Sequence, residues 1–369
     1  MSAKASIMLA AGGTGGHLFP AYALSEALGR RGIEVDLVSD ERADRYGVGF
    51  PARSIHKVPS ATTSGMNPLK AAAAALTLSR GVAAAHAIIG EIGPKVVVGF
   101  GGYPTFPPLL AAKLRGVPTI IHEQNAVLGR ANKMLAGRVD RIATSFAQTR
   151  FLEGALLEKV RHTGNPVRSM VLEASRYEYV APNPQGPIGI LVFGGSQGAR
   201  FFSNTVPPAL AMLPPAIRAR LQVVQQARPE DVAAVESAYR YSGIAAQVSP
   251  FFKDLPIRMA WSHLVIGRAG ASTIAELTVI GRPSILVPLP HAIDNDQLEN
   301  ARRLAESGGA WCIEEKELDA ARLSHALAEI LSRPDRLASA ASAARAEGRP
   351  DADERLADLV VELMARTGA

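Results

Sequence analysis

Residues 6–17 read SIMLAAGGTGGH, and residues 188–199 read IGILVFGGSQGA. Each is a short apolar run that breaks into glycines and then opens a helical pattern. Five or six apolar residues are too few for a buried helix and suit a strand covered on both faces. The glycines let the backbone turn sharply and approach a ligand closely. The helix that follows offers free N–H groups at the positive end of its dipole. The same unit therefore opens each half of the chain.

Around the first copy, further strands are expected at 33–38, 95–100, 118–122 and 141–144, with helices at 17–30, 104–115 and 128–137. Around the second, strands are expected at 221–225, 245–248, 264–266 and 284–287. Helices there should start near 198 and span 229–241, 272–280, 295–306 and 320–331. Buried strands alternating with helices predict parallel sheets. The fold class is α/β: two tandem Rossmann-like doubly wound domains with the active site expected in the interdomain cleft. GNPVRSMVLEASRYEYVAPNPQGP, 164–187, breaks the pattern with Pro, Gly and Asn. The expected domains are 1–165 and 188–349, joined by a linker at 166–187. Leu356, Leu359, Val360, Leu363 and Met364 recur at helical spacing, so 350–369 should pack as a helix on one domain.

The 369 residues are 47% hydrophobic and 20% charged, with 40 Lys and Arg against 34 Asp and Glu and a net charge of +6. This suits a globular chain with an anionic partner such as phosphate or an acidic membrane surface. No block of five like charges marks a nucleic-acid tail. The single Cys312 fits a reducing cytoplasm and reads as a small buried hydrophobe. The apolar run at 7–11 is too short for a signal sequence. The longest helical apolar stretch, 71–78, falls well below the ~20 residues of a spanning helix, so any membrane contact should be peripheral.

The first turn, Ala11-Gly12-Gly13-Thr14-Gly15-Gly16-His17, holds more glycine than a turn needs and reads as a phosphate cradle. It is not GxGxxG, because Leu18 stands where the third glycine would be. Asp36 and Asp40 lie near the position of a ribose carboxylate, so a nicotinamide enzyme stays a rival. Related turns are Gly101-Gly102-Tyr103-Pro104, Gly194-Gly195-Ser196-Gln197-Gly198-Ala199 and Gly267-Arg268-Ala269-Gly270-Ala271-Ser272-Thr273. Glu276 follows the last, either as an ordinary acid near a helix N-terminus or as an acceptor for ribose hydroxyls.

GGTGGHLFPA, GFGGYPTFP, HEQNAVLGRANK, GNPVR, FGGSQGA, GRAGASTIAEL and a stretch ending DNDQLENA occur in order. Together they resemble the bacterial peptidoglycan glycosyltransferases that add N-acetylglucosamine to lipid I, giving lipid II. The resemblance implies a GT-B fold and a C-terminal helix returning to the first domain. It also implies an inverting transfer from UDP-N-acetylglucosamine to the C4 hydroxyl of the N-acetylmuramoyl-pentapeptide. By motif, Thr14, Gly15 and Gly16 would lie at the donor diphosphate and His17 at the reaction centre. Asn125, with Glu123 nearby, would face the transferred sugar or the adjacent acceptor, and Arg168 and Ser196 the donor phosphates. Ala271, Ser272, Thr273 and Glu276 would hold ribose and diphosphate, Phe252 the uracil edge and Gln297 the sugar hydroxyls. Gly13, Gly101, Gly102 and Tyr103 are assigned to the acceptor pyrophosphate. The family often carries two adjacent glutamines where this chain has Asp296-Gln297, which leaves Asp296 without an assigned role.

The chemistry needs a base for the acceptor hydroxyl. His17 is the first candidate and Glu123 the alternative, although His17 could instead position phosphate. Helix N-termini and Arg168 can meet the leaving-group charge. No compact His, Asp and Glu cluster marks a metal, so no cofactor is expected; divalent-metal stimulation stays open. Asp294-Asn295-Asp296 has D-x-D spacing but falls at an expected helix start, where such residues cap. Leu69, Lys70, Leu76, Leu78 and Arg80 read either as an interfacial patch or as part of a buried alanine-rich helix. The expected setting is the cytoplasmic face of the bacterial inner membrane, on an anionic surface, with the cell-wall synthesis machinery as a further partner and no nucleic acid. A UDP-sugar epimerase or hydrolase, or a nucleotide binder without catalysis, are the other readings.

Overall fold

A computed structural model of the chain describes residues 5–12, 15–40, 49–61, 68–195, 198–290 and 293–366. It divides into two compact units, residues 1–168 with 349–369, and residues 169–348.

In the first unit, β1 (Ser6–Ala10), α1 (Gly15–Arg30), β2 (Glu34–Ser39), β3 (Ser54–Lys57), α2 (Pro68–Ile92) and β4 (Val96–Gly99) come first. α3 (Phe106–Leu114), β5 (Thr119–Glu123), α4 (Arg130–Ala136), β6 (Arg141–Thr144) and β7 (Val160–His162) follow. Their strands form one parallel sheet, ordered β3-β2-β1-β4-β5-β6-β7. Alternate residues of β1 feed opposite layers, as a pleated strand requires. Ile7 and Leu9 pack with Leu24 and Leu28 of α1, whereas Met8 and Ala10 join Ala85 and Ile89 of α2 and Leu109 of α3.

The second unit holds α5 (Ser169–Ala174), β8 (Ile188–Phe193), α6 (Arg200–Ala211), α7 (Pro215–Arg218), β9 (Leu221–Gln226), α8 (Val232–Tyr241) and β10 (Ala245–Ser249). It continues with α9 (Leu255–Trp261), β11 (Leu264–Gly267), α10 (Ala271–Ile280), β12 (Ser284–Leu286), α11 (Asp296–Glu306), β13 (Ala310–Cys312), α12 (Ala320–Leu331) and α13 (Pro334–Glu347). Its parallel sheet is ordered β10-β9-β8-β11-β12-β13. Ile188, Ile190 and Val192 pack there with Phe202 and Val206 of α6 and Leu323 and Leu327 of α12.

The last helix, α14 (Ala352–Arg366), belongs to the first unit. Leu356, Val360 and Leu363 enter the core beside Leu24 and Leu28. Burying each contributes about 1.5–3 kcal/mol. Arg30 and Arg31 also pair with Asp353, Glu354 and Asp358. Such largely exposed pairs contribute about 0–1 kcal/mol each, so apolar burial holds this helix.

The strand order of each sheet reverses once, between β1 and β4 and between β8 and β11. Ligands of doubly wound sheets bind outside the strand ends at that reversal. All four glycine-rich turns read from the sequence follow these four strands.

Three expectations change. The apolar stretch at 71–78 is part of a 25-residue helix, α2, and Ala72–Ile92 is long and apolar enough to cross a membrane by length and composition. Arg80-Gly81 hid the continuation. A Cβ on Gly81 would lie 2.2 Å from Pro59 O, so glycine lets the helix pass its neighbour. Ala74, Gly81, Ala85 and Ile89 form its buried stripe, and it packs on α3. The stretch 166–187 is not loose either: 169–187 is bound into the second unit. Arg345 donates to Ser175 O (2.8 Å), Arg282 to Tyr177 O (3.0 Å) and the Tyr179 hydroxyl to His263 O (3.0 Å). Strands β3, β7 and β13 and helices α5, α7, α9 and α13 were not expected. These strands are short and only partly buried, so they lack a clear apolar run.

Candidate functional site

In the first unit the site forms where β1, β4 and β5 end. The half-buried ring of His17, in the first turn of α1, lies against glycine on three sides. A Cβ on Gly12 would sit 3.1 Å from its Nδ1, on Gly101 3.4 Å from its Nε2, and on Gly102 3.4 Å from its Cε1. Gly101 and Gly102 also have φ of 83° and 75°, where side chains are disfavoured. These glycines thus make a slot for an imidazole, with half-buried Tyr103 next in the chain. Gly15 is buried beneath Phe19, whereas a Cβ on exposed Gly16 would meet nothing within 4 Å, so backbone there is open to a ligand. Gly13 and Thr14 lie outside the described residues.

HEQN lies next to Gly101, where a Cβ would also stand 3.6 Å from Gln124 Oε1. His122 is fully buried, with Nε2 3.0 Å from Gly164 O. A carbonyl only accepts, so Nε2 carries the proton and Nδ1 accepts from Gln124 Nε2 at 3.0 Å. Burial pushes the His122 pKa down to about 4, against the opposing pull of the Gly164 hydrogen bond. Glu123 is 2% exposed. Its Oε1 accepts from the N–H (3.0 Å) and Nδ2 (3.3 Å) of Asn125, and its Oε2 from the Gly129 N–H (2.8 Å) and Asn132 Nδ2 (2.7 Å). Desolvation raises its pKa despite these bonds. Both oxygens thus hold the loop that presents half-buried Asn125.

The Arg168 guanidinium lies 4.2 Å from the Phe19 ring centroid, over the start of α1. Asn165 was given no role from the sequence. It is 5% exposed, and neither carboxamide atom has a hydrogen-bond partner among the described residues. Thr144 Oγ1 and Ser145 Oγ, at the end of β6, are buried in the same condition. No local pattern marks these three, because their isolation is a tertiary property. Asp36, held open as a ribose ligand, is fully buried; it pairs with Arg53 and accepts from Ser6 and Ser54. These hydrogen bonds outweigh desolvation and lower its pKa, so it is a structural carboxylate.

In the second unit, the turn after β8 has Gly195 and Gly198 at φ of 86° and 70°; Ser196 lies outside the described residues. After β11, extended Gly270 begins α10 with no side-chain cap. The N–H groups of Ala271, Ser272 and Thr273 therefore stand at a bare positive helix end, suited to phosphate. Ser272 Oγ has no partner among the described residues, and Glu276 is buried one turn further on. Phe252 is buried beneath Arg258, 4.3 Å away, while Phe251 is exposed. Half-buried Gln297 accepts through Oε1 from the Leu289 N–H at 3.1 Å, so its NH₂ is the group it offers. Asp296 accepts from the Gln297 N–H (2.8 Å), and burial, with Asp294 nearby, raises its pKa. It ties down its own helix start. Among the described residues, no group of three or more His, Cys, Asp or Glu could hold a metal ion.

On α2, Lys70 and Arg80 are exposed, Leu76 is 54% exposed and Leu78 half-buried. The side chain of Leu69 lies outside the described residues. The first half of the helix therefore exposes apolar and basic side chains, with Ala74 buried.

Residues 7–144 match the glycosyltransferase family 28 N-terminal domain, and residues 189–356 match the glycosyltransferase family 28 C-terminal domain. A Methylobacterium sp. (strain 4-46) protein is 55% identical over 361 residues, covering 98% of this chain and 97% of that one. It is named UDP-N-acetylglucosamine--N-acetylmuramyl-(pentapeptide) pyrophosphoryl-undecaprenol N-acetylglucosamine transferase. A Sinorhizobium fredii protein of the same name is 55% identical over 357 residues, covering 97% and 95%. Among crystal structures, Acinetobacter baumannii MurG matches with a TM-score of 0.80 at 27% identity, covering 97% of this chain and 99% of that one. The fold is of the GT-B class.

Proposed function

The chain belongs to glycosyltransferase family 28, and on that premise we propose how its residues divide one reaction. It transfers N-acetylglucosamine from UDP-N-acetylglucosamine to the N-acetylmuramoyl-pentapeptide carried on pyrophosphoryl-undecaprenol, a step of peptidoglycan synthesis. The observation that carries the reading is 55% identity to a transferase of that name across 98% of the chain.

In this reading His17, held in its glycine slot, takes the proton from the C4 hydroxyl of the acceptor sugar. The oxygen attacks the anomeric carbon in a single displacement, so configuration inverts and UDP departs. The bare N-terminus of α10 and Arg168 offset the charge on the leaving diphosphate. Glu276 accepts from the ribose hydroxyls, and Gln297 donates to the sugar. Those donors carry the leaving-group charge, so the scheme asks for no metal. The acceptor's lipid places the enzyme peripherally on the cytoplasmic face of the inner membrane, with the first half of α2 against anionic lipid.

The test is transfer of labelled sugar from UDP-N-acetylglucosamine to a short-chain lipid I analogue, with chelator present. Label in the lipid product with UDP released is the expected result. UDP release without lipid labelling would point to an epimerase or hydrolase. Folded protein that consumes no donor would sink the reading.

A further inference from the structure

Arg268 stands in the turn between β11 and α10 and is 7% exposed. Its Nη1 donates to Val287 O and Pro288 O, both at 3.2 Å. Its Nη2 lies 2.5 Å from Glu315 Oε2, an ion contact outside hydrogen-bonding geometry. The guanidinium also stands 5.1 Å and 5.7 Å from the ring centroids of Phe202 and Phe201 on α6. The backbone that Arg268 grips runs straight on to Leu289, whose N–H holds Gln297 Oε1. One guanidinium thus ties together α6, the α10 turn and the 287–289 loop, and that loop sets the direction of the Gln297 carboxamide. Its charge is met by Glu315, just beyond β13. Neighbouring Glu314 pairs instead with Arg302 and Lys316, and Glu317 with Arg322, so Glu315 is the member of this acidic run that faces Arg268. A guanidinium buried against carbonyls alone is poorly compensated, and a carboxylate beside it fixes where it sits.

We propose that Glu315 is a positioning residue for sugar recognition. Through Arg268 it holds the 287–289 loop so that Gln297 aims its NH₂ at the donor's sugar hydroxyls, and so it sets which UDP-sugars are accepted. This rests on the assignment of Gln297 to the sugar made above. Glu315 acts at a distance; its removal should cost discrimination and spare nucleotide affinity.

Calorimetry with UDP, UDP-N-acetylglucosamine, UDP-N-acetylgalactosamine and UDP-glucose tests this on the full chain. The proteins are wild type, Glu315→Gln, Gln297→Ala and the double variant, each with its melting temperature. Glu315→Gln should bind UDP within about twofold of wild type, while the preference between the best and next UDP-sugar falls about tenfold. The double variant should discriminate no worse than Gln297→Ala, since both changes remove one contact. Arg268→Lys keeps the charge and loses the fork, and should flatten the preference likewise. Equal weakening of UDP and every UDP-sugar, or an effect that adds to that of Gln297→Ala, overturns the coupling. The sugar that wild type prefers judges the functional reading separately: a winner other than N-acetylglucosamine removes that reading, and the flattening still decides the coupling.

Discussion

Acid should destabilise the first unit through one histidine. His122 is buried and neutral, with its pKa lowered from the ordinary 6.5 to about 4. The unfolded chain therefore binds a proton between those values that the folded chain refuses. Stability from this group is fully present above pH 6.5 and is lost as pH falls toward 4. At about 1.4 kcal/mol per pKa unit, moving from pH 7 to 4 costs about 3 kcal/mol from His122 alone. His122→Gln keeps a donor for Gly164 O but cannot titrate. It should be less stable than wild type at pH 7 by about 1–3 kcal/mol, and the gap should close or reverse by pH 4. Both tryptophans, Trp261 and Trp311, lie in the second unit, so their fluorescence would miss the effect. Native-state hydrogen exchange at the β5 amides across pH 4–7 reads it directly, after correction for intrinsic exchange rates. Equal pH slopes for wild type and His122→Gln would refute the reasoning.

His17→Ala should lose about 10²–10⁴ in turnover while UDP-N-acetylglucosamine still binds; normal turnover would end its role as base. Glu123→Gln puts an NH₂ where the clasp needs an acceptor, and should cost about 2–4 kcal/mol of stability. Its residual activity should keep the wild-type pH–rate profile, and loss of the acidic limb with an unchanged melting temperature would instead restore Glu123 as base. Glu276→Gln removes charged hydrogen bonds to ribose, worth about 1.5–3 kcal/mol. It should raise KM for the donor by about 10–100-fold at constant melting temperature; an unchanged KM removes the ribose contact. Leu76→Glu with Leu78→Glu should abolish flotation with anionic vesicles, and unchanged flotation would exclude this face of α2.

Glycine turns were readable because a strand that ends in glycines before a helix is a local pattern. HEQN was recognised as a motif, but the jobs of its members were not. The sequence shows an acid at Glu123; only burial and four donors around it separate a loop clasp from a base. His122 drew no assignment at all, since its lowered pKa comes from complete burial and its tautomer from Gly164, 42 residues away. Asn165, Arg268 and Glu315 were missed for the same reason. Short edge strands such as β7 and β13 were missed because three residues carry too little periodicity to register.

By itself, the sequence determined two parallel α/β halves, where their glycine turns fall, and the family whose chemistry they serve. Those properties reside in neighbouring residues and in the period of apolar burial. Strand order is different. Periodicity shows that a segment is a buried strand, but not which strand lies beside it. The tertiary structure decided that β1 meets β4 and β8 meets β11, which brings the glycine turns of each unit together at its sheet's reversal. It also decided which polar groups lost water and which found partners. Desolvation and hydrogen bonding across long sequence separations, not residue type, set the surroundings of His122 and Asp36.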